Sequence, residues 1–206
     1  MSIKRDDSSG YLCHWIKANP YTECIDDNFE SAYETLLEII GSKEIKSGNP
    51  RLTNGYDCVC LSESLPRSVL NGKAKYQPFG IRFVKNSIYR MGGRHVIYLD
   101  CVQAMSLGKS LEWLHVEHDP HKKGTPYGID FTWEREWRVQ TDSIYLPYID
   151  FWVMVPNEYY RDRLCRELDG WIFNAQKQAN EDARYINAAE NYIDELDSIK
   201  DNISII

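Results

Sequence analysis

Between residues 129 and 140 the chain alternates apolar and polar side chains, and no other stretch restricts the fold so tightly. A period of two is the repeat of an extended strand. It puts Ile129, Phe131, Trp133, Arg135, Trp137 and Val139 on one face and Asp130, Thr132, Glu134, Glu136, Arg138 and Gln140 on the other. The first face belongs in a core, apart from Arg135. The second carries two carboxylates two residues apart, about 7 Å along a strand. Their repulsion raises one pKa unless a cation such as Arg138 lies alongside. Carboxylates held in this way suit general-base work or the stabilisation of positive charge in a transition state. The plainer alternative is a solvated face on which Glu134 and Glu136 pair with Arg135 and Arg138. Residues 133–139 are therefore the first candidate for an active site.

The remaining pattern gives strands at 11–16, 57–61, 79–84, 95–99 and 151–155, with 79–84 half-buried. Phe29, Ala32, Tyr33, Leu36, Leu37 and Ile40 recur at the spacing of one helical face, with a capping box at Asp27 and Glu30 and a stop at Gly41. A brief helix or turn is expected at 86–91 and further helices at 105–114, 157–168 and 174–200, the last with a stripe of Ala179, Ala183, Ile186, Ala189, Ile193 and Leu196. Residues 42–56 and 115–128 read as loops, Asn19-Pro20 as a turn, and 62–66 as a turn out of the core. About six strands with scattered helices, and no regular βαβ alternation, favour an α+β fold over a doubly wound sheet. A domain over 1–170 with a C-terminal accessory helix over 171–206 accounts for the length.

A formal net charge of −7 argues against gripping nucleic acid by bulk electrostatics, although a local basic groove is compatible with it. No run approaches the roughly 20 apolar residues that span a bilayer, and the polar start lacks the apolar stretch of a signal peptide. A cytoplasmic protein without a membrane partner is the expectation. The six cysteines read as reduced thiols, four of them set among apolar or aromatic residues. Cys58 and Cys60 share a strand face but lack the spacing of a zinc site, and Pro120 keeps His115, His118 and His121 off one helical face. No metal site is expected.

Three features in chain order carry a resemblance: the first-strand pair His14-Trp15, the strand end Cys60-Leu61-Ser62-Glu63, and the late Glu134-x-Glu136. Together they resemble the ADP-ribosyltransferase superfamily, which has a split mixed or antiparallel sheet with flanking helices. The segments Phe79-Gly80-Ile81, 92–98 and 133–138 also look like an abortive-infection family of bacteria, some of whose relatives resemble the DarT-like toxins that modify nucleic acid. The resemblance spans residues 11–155 and implies NAD as substrate. On it, Glu136 matches the catalytic glutamate and Glu134 the position that orients the acceptor. His14, followed by Trp15, would bond the adenosine ribose, Ser62 would face the nicotinamide ribose, and Arg82 or Arg94 would hold the diphosphate. Among fourteen tyrosines the ring that stacks on nicotinamide is not marked.

Breaking the bond between nicotinamide and ribose develops positive charge on the sugar, which a fixed carboxylate stabilises. The resemblance therefore implies a mono-ADP-ribosyltransferase of the toxin or antiviral-defence kind. Its acceptor would be a macromolecule, with RNA or DNA favoured, and an antitoxin protein a possible partner. His115, His118, His121, Lys122 and Lys123 would offer a basic edge to phosphates. Two other readings stay open: a non-catalytic binding or regulatory module that keeps the fold, and a Mg²⁺-dependent hydrolase with Asp130 as third acid.

Overall fold

Residues 9–17, 25–63, 76–125 and 128–206 are described by the computed structural model, with side chains from residue 28 onward in the second stretch. The expected turn at Asn19-Pro20, the Asp27 half of the capping box, Cys24, and the Ser64 to Pro66 part of the exit turn lie outside the described residues. The strands are β1 (Tyr11–Lys17), β2 (Glu44–Lys46), β3 (Cys58–Ser62), β4 (Tyr76–Val84), β5 (Arg94–His95), β6 (Ile97–Leu99), β7 (His115–Glu117), β8 (Glu136–Gln140), β9 (Ser143–Tyr145), β10 (Phe151–Val155) and β11 (Ile203–Ile205). The helices are α1 (Ile25–Ser42), α2 (Lys85–Arg90), α3 (Cys101–Ala104), α4 (Glu158–Glu181) and α5 (Ile186–Asp201).

Seven of these strands form one sheet in the order β11-β10-β4-β1-β3-β8-β5. Only β10 and β11 run parallel, so the sheet is mixed and the fold is α+β. One face holds the core. Leu12, Ile16, Val59, Leu61, Phe79, Ile81, Phe83, Val139 and Val153 pack against Ala32, Tyr33, Leu36 and Ile40 of α1, Tyr160, Leu164 and Leu168 of α4, and Leu196 and Ile199 of α5. Phe79 is the hub, with the Tyr160 ring 4.9 Å away edge-on and Phe29 and Tyr33 beside it. The opposite face carries two smaller clusters, Cys13–Trp15–Met154 and Cys58–Trp113–Leu114.

Strand β4 is buried on both faces rather than half-buried, because β10 and β1 flank it inside the sheet. Gly80 makes that possible: a Cβ there would sit 2.4 Å from the carbonyl oxygen of His14, so only glycine lets β1 and β4 approach. Helix α1 runs past Gly41 and ends where Lys43 takes a positive φ of 59°.

Several expectations are corrected. The run 129–140 is not one strand: Ile129 makes an isolated bridge to Asp119, Thr132–Glu134 forms a 3₁₀ turn, and β8 begins only at Glu136. Arg135 sits between turn and strand in the left-handed region, and that break leaves Phe131 43% and Trp133 48% exposed rather than in the core. Of the helix expected at 105–114 only a 3₁₀ helix at Lys109–Leu114 forms, with Gly108 as its N-cap; α3 ends before that span, at Ala104. The strand expected at 95–99 divides into β5, which pairs with β8, and β6, which pairs with β7. The loop at 42–56 contains β2, paired with β9, and a 3₁₀ helix at Pro50–Thr53.

Beyond residue 170 the chain supplies the rest of α4, then α5, then β11. The continuous helix expected at 174–200 is interrupted at Asp182, whose carboxylate caps the Arg184 N–H, and Ile186 of the expected stripe is exposed. Val153, Met154 and Val155 pair with Ile203, Ser204 and Ile205, so the end of the chain extends the sheet. No helix among the described residues is long and apolar enough to cross a membrane.

Substituting Gly80→Ala forces β1 from β4. The expected outcome is a loss of about 1–3 kcal/mol of stability, read from the denaturant midpoint.

Candidate functional site

Strand β1 pairs with β3 at one position, Cys13 opposite Ser62, and beyond it the strands part. The carbonyl oxygen of Cys60 is left facing the gap, and the His14 ring fills it by donating its Nδ1–H at 3.0 Å. That bond fixes the tautomer, since a carbonyl can only accept. The Gly48 N–H, from the segment after β2, satisfies the carbonyl of Cys58 at 3.2 Å. The parting opens a cavity of about 330 Å³ lined from both faces of the sheet.

Glu134 and Glu136 both line it, by a route different from strand alternation. Ser62 Oγ donates to the Glu134 carbonyl at 2.6 Å and the Glu63 N–H donates to the Arg135 carbonyl at 3.2 Å, so the end of β3 grips the 3₁₀ turn. The left-handed Arg135 then swings the chain so that both carboxylates face the same space. Glu134 is 7% exposed, and Tyr76 Oη donates to its Oε2 at 3.1 Å. Glu136 stands opposite Ser62, its side chain 13% exposed, and accepts Arg138 Nε at Oε1 at 2.8 Å. Its N–H donates to Tyr98 Oη at 3.3 Å.

These surroundings move the titrating groups. Burial, then the charge of Glu134, raises the Tyr76 phenol, so it stays a donor. Burial, then the Glu136 carboxylate, pushes the Cys60 thiol up to about 12, and burial puts Cys13 at about 12 despite Arg82. Neither thiol is a nucleophile near neutrality. Burial lowers the Arg138 guanidinium, but the hydrogen bond and charge of Glu136 outweigh that and raise it. Burial lowers His14 more than its bond to Cys60 raises it.

Of the residues singled out from sequence, the structure brings His14, Trp15, Ser62, Glu134 and Glu136 to one cavity. It does not bring Arg82 or Arg94 there. Arg82 lies between the rings of Tyr11 and Trp152, 4.8 and 5.1 Å away, and Arg94 stacks on Tyr89 at 4.1 Å while bonding the carbonyls of Tyr89 and Gly93. Among the described residues the cations that line the cavity are Lys17 and Lys46, which sequence reasoning missed. Lys17 continues the alternation Cys13, Trp15, so its face was readable. Tyr76, whose ring Lys17 faces at 5.8 Å, gave no signal, because its strand seemed to start at residue 79.

Other constellations disperse. Asp130 does not line the cavity; it bonds the hydroxyl and N–H of Thr132. His115 bonds the Leu99 carbonyl, His118 lies 3.7 Å from Asp130, and Lys122 pairs with Glu117 at 2.6 Å, which neutralises one of the two lysines of the expected basic edge. Among the described residues no group of three or more His, Cys, Asp or Glu is placed to hold a metal ion.

A larger cavity of about 680 Å³ lies between the end of α1, α2 and α5, and none of the singled-out residues lines it. Asp150, Asp194, Glu195, Ser87 and Ser198 line it, but the Glu195 side chain is 41% exposed and paired with Lys43, whereas the smaller cavity has two largely buried carboxylates beside hydroxyls and an imidazole. No family model matches the chain, and no curated protein or solved structure was found to be similar to it.

His14 gives a pH test. Its folded pKa is depressed, so the unfolded chain binds the proton more readily. Stability is complete above the ordinary imidazole value and is lost as pH falls from there towards the folded-state value. Relative to His14→Asn, which keeps a donor but does not titrate, the wild type is expected to lose at most about 1.4 kcal/mol per pH unit in that window. Urea melts of both proteins at several pH values measure the difference.

Proposed function

We propose that the cavity binds NAD and that the protein is a mono-ADP-ribosyltransferase, moving ADP-ribose from NAD to a macromolecular acceptor. One observation carries the reading: Glu134 and Glu136 converge on one cavity beside the Tyr76 and Ser62 hydroxyls and the His14 ring, at the place where a sheet divides. The sequence resemblance to the ADP-ribosyltransferases assigns four of these, Glu134, Glu136, Ser62 and His14, and marks no tyrosine. At about 330 Å³ the cavity suits the nicotinamide riboside end of a dinucleotide.

Loss of nicotinamide leaves the ribose with oxocarbenium character. Glu136, backed by the Arg138 cation, bonds a ribose hydroxyl and stabilises that charge. Glu134, held by a neutral phenol, stands beside it to orient the acceptor and take its proton. Lys17 and Lys46 take the diphosphate role that the resemblance gave to Arg82 or Arg94. Phe131 and Trp133, exposed on the turn that carries Glu134, offer faces on which unpaired bases stack, and this favours nucleic acid as acceptor. Such a reaction fits a toxin or antiviral-defence effector with a neutralising antitoxin.

The test is incubation with NAD labelled in its adenylate half, together with RNA, single-stranded DNA or cell protein. Wild type is expected to release nicotinamide and label one acceptor. Glu136→Gln is expected to fall about 10²-fold or more with its fold intact by circular dichroism. Arg82→Ala and Arg94→Ala are expected to keep activity. No nicotinamide release with any acceptor, or an unimpaired Glu136→Gln, sinks the reading.

A further inference from the structure

We infer that Arg138 is a positioning residue for Glu136, aiming its carboxylate into the cavity and locking it to the backbone of residues 113–115. Only the activity part of this inference rests on the function proposed above; the geometry stands without it.

Arg138 is 3% exposed and does not line the cavity, whereas Glu136 does, so the guanidinium meets the carboxylate from the side away from a ligand. Its Nε donates to Glu136 Oε1 at 2.8 Å, and its Nη1 donates to the carbonyls of Trp113 at 2.7 Å and His115 at 3.2 Å. A planar guanidinium holds these donors at fixed angles, so the direction of the carboxylate is set by where the two carbonyls lie.

The carbonyls are themselves fixed. Trp113 is buried against Cys58 and Leu114, and its Nε1–H donates to the Ser110 carbonyl at 3.0 Å. The Asn54 amide donates to the carbonyls of Glu112 and His115 at 2.8 and 3.2 Å, and Tyr56 Oη donates to Glu112 Oε2 at 3.1 Å. A lysine at 138 would carry the same charge but has one nitrogen, which cannot reach the carboxylate and both carbonyls in this geometry. Around Glu136 stand Arg138, Glu134, the Cys58 and Cys60 thiols and the Tyr76 and Tyr98 phenols. The thiols and phenols are all raised, so none of them gains charge as the pH falls.

The experiment follows the Glu136 carboxyl carbon by NMR across an acid titration of the full chain labelled with ¹³C-glutamate, the resonance being assigned by its loss in Glu136→Gln. Arg138→Gln is expected to raise the titration midpoint by about one pH unit, and Arg138→Lys by less. In both, nicotinamide release falls about 100-fold in kcat while KM for NAD stays within about threefold. Arg184→Ala, at an exposed ion pair with Asp182 between α4 and α5, changes neither. A midpoint unchanged in both Arg138 variants overturns the inference, and if Arg138→Gln does not fold, Arg138→Lys decides. If wild type releases no nicotinamide, the proposed function fails alone and the midpoints still decide the role of Arg138.

Discussion

The parting of β1 from β3 governs the architecture around the cavity. A sheet gains its stability from paired backbone groups, and a buried carbonyl without a partner costs free energy comparable to a lost hydrogen bond. Here the ladder joins the two strands at Cys13 and Ser62 and then stops, so the polar groups along the open edge find other partners. His14 takes one carbonyl and Gly48 another. The histidine, the excursion through residues 44–58 and the cavity are thus consequences of one topological fact. The helical layer, centred on Phe79 and Tyr160, packs on one face of the divided sheet.

Charge is buried around this opening, and each buried charge is met by donors or by a counter-charge. Glu63 receives Lys85 Nζ at 2.5 Å, the Ser9 N–H at 3.1 Å, and Arg135 Nη2 and Trp137 Nε1 at 3.4 Å each. That network holds the left-handed Arg135, and with it the turn that delivers Glu134. Burying ions adds little to stability, because desolvation offsets their attraction, so such a cluster is better explained by what it positions. Among the described residues, Glu136 is met by a full cation and Glu134 by the Tyr76 phenol.

The α+β class, the strands at 11–16, 57–61 and 151–155, and the buried face of α1 were legible because each depends on a local period that its neighbours do not override. The late strand was half legible. Its Trp137 and Arg138 face opposite ways, as alternation requires, but nothing local announced that Arg135 would turn left-handed, since this is imposed by Glu63 and by Ser62 acting on Glu134. The exposure of Phe131 and Trp133 follows from the same long-range contacts.

The sequence by itself determined which chemistry the chain carries: two glutamates, a first-strand histidine and a strand-end serine, at spacings that alternate faces. Only the tertiary structure decided which of these meet, because their convergence depends on strands far apart in the chain, Ser62 with Glu136 and Tyr76 with Glu134. It also decided that Lys17 and Lys46 line the cavity while Arg82 and Arg94 are held by aromatic rings elsewhere. Periodicity records which face of a strand a residue occupies. Which strands lie side by side, and where they separate, depends on packing over the whole sheet.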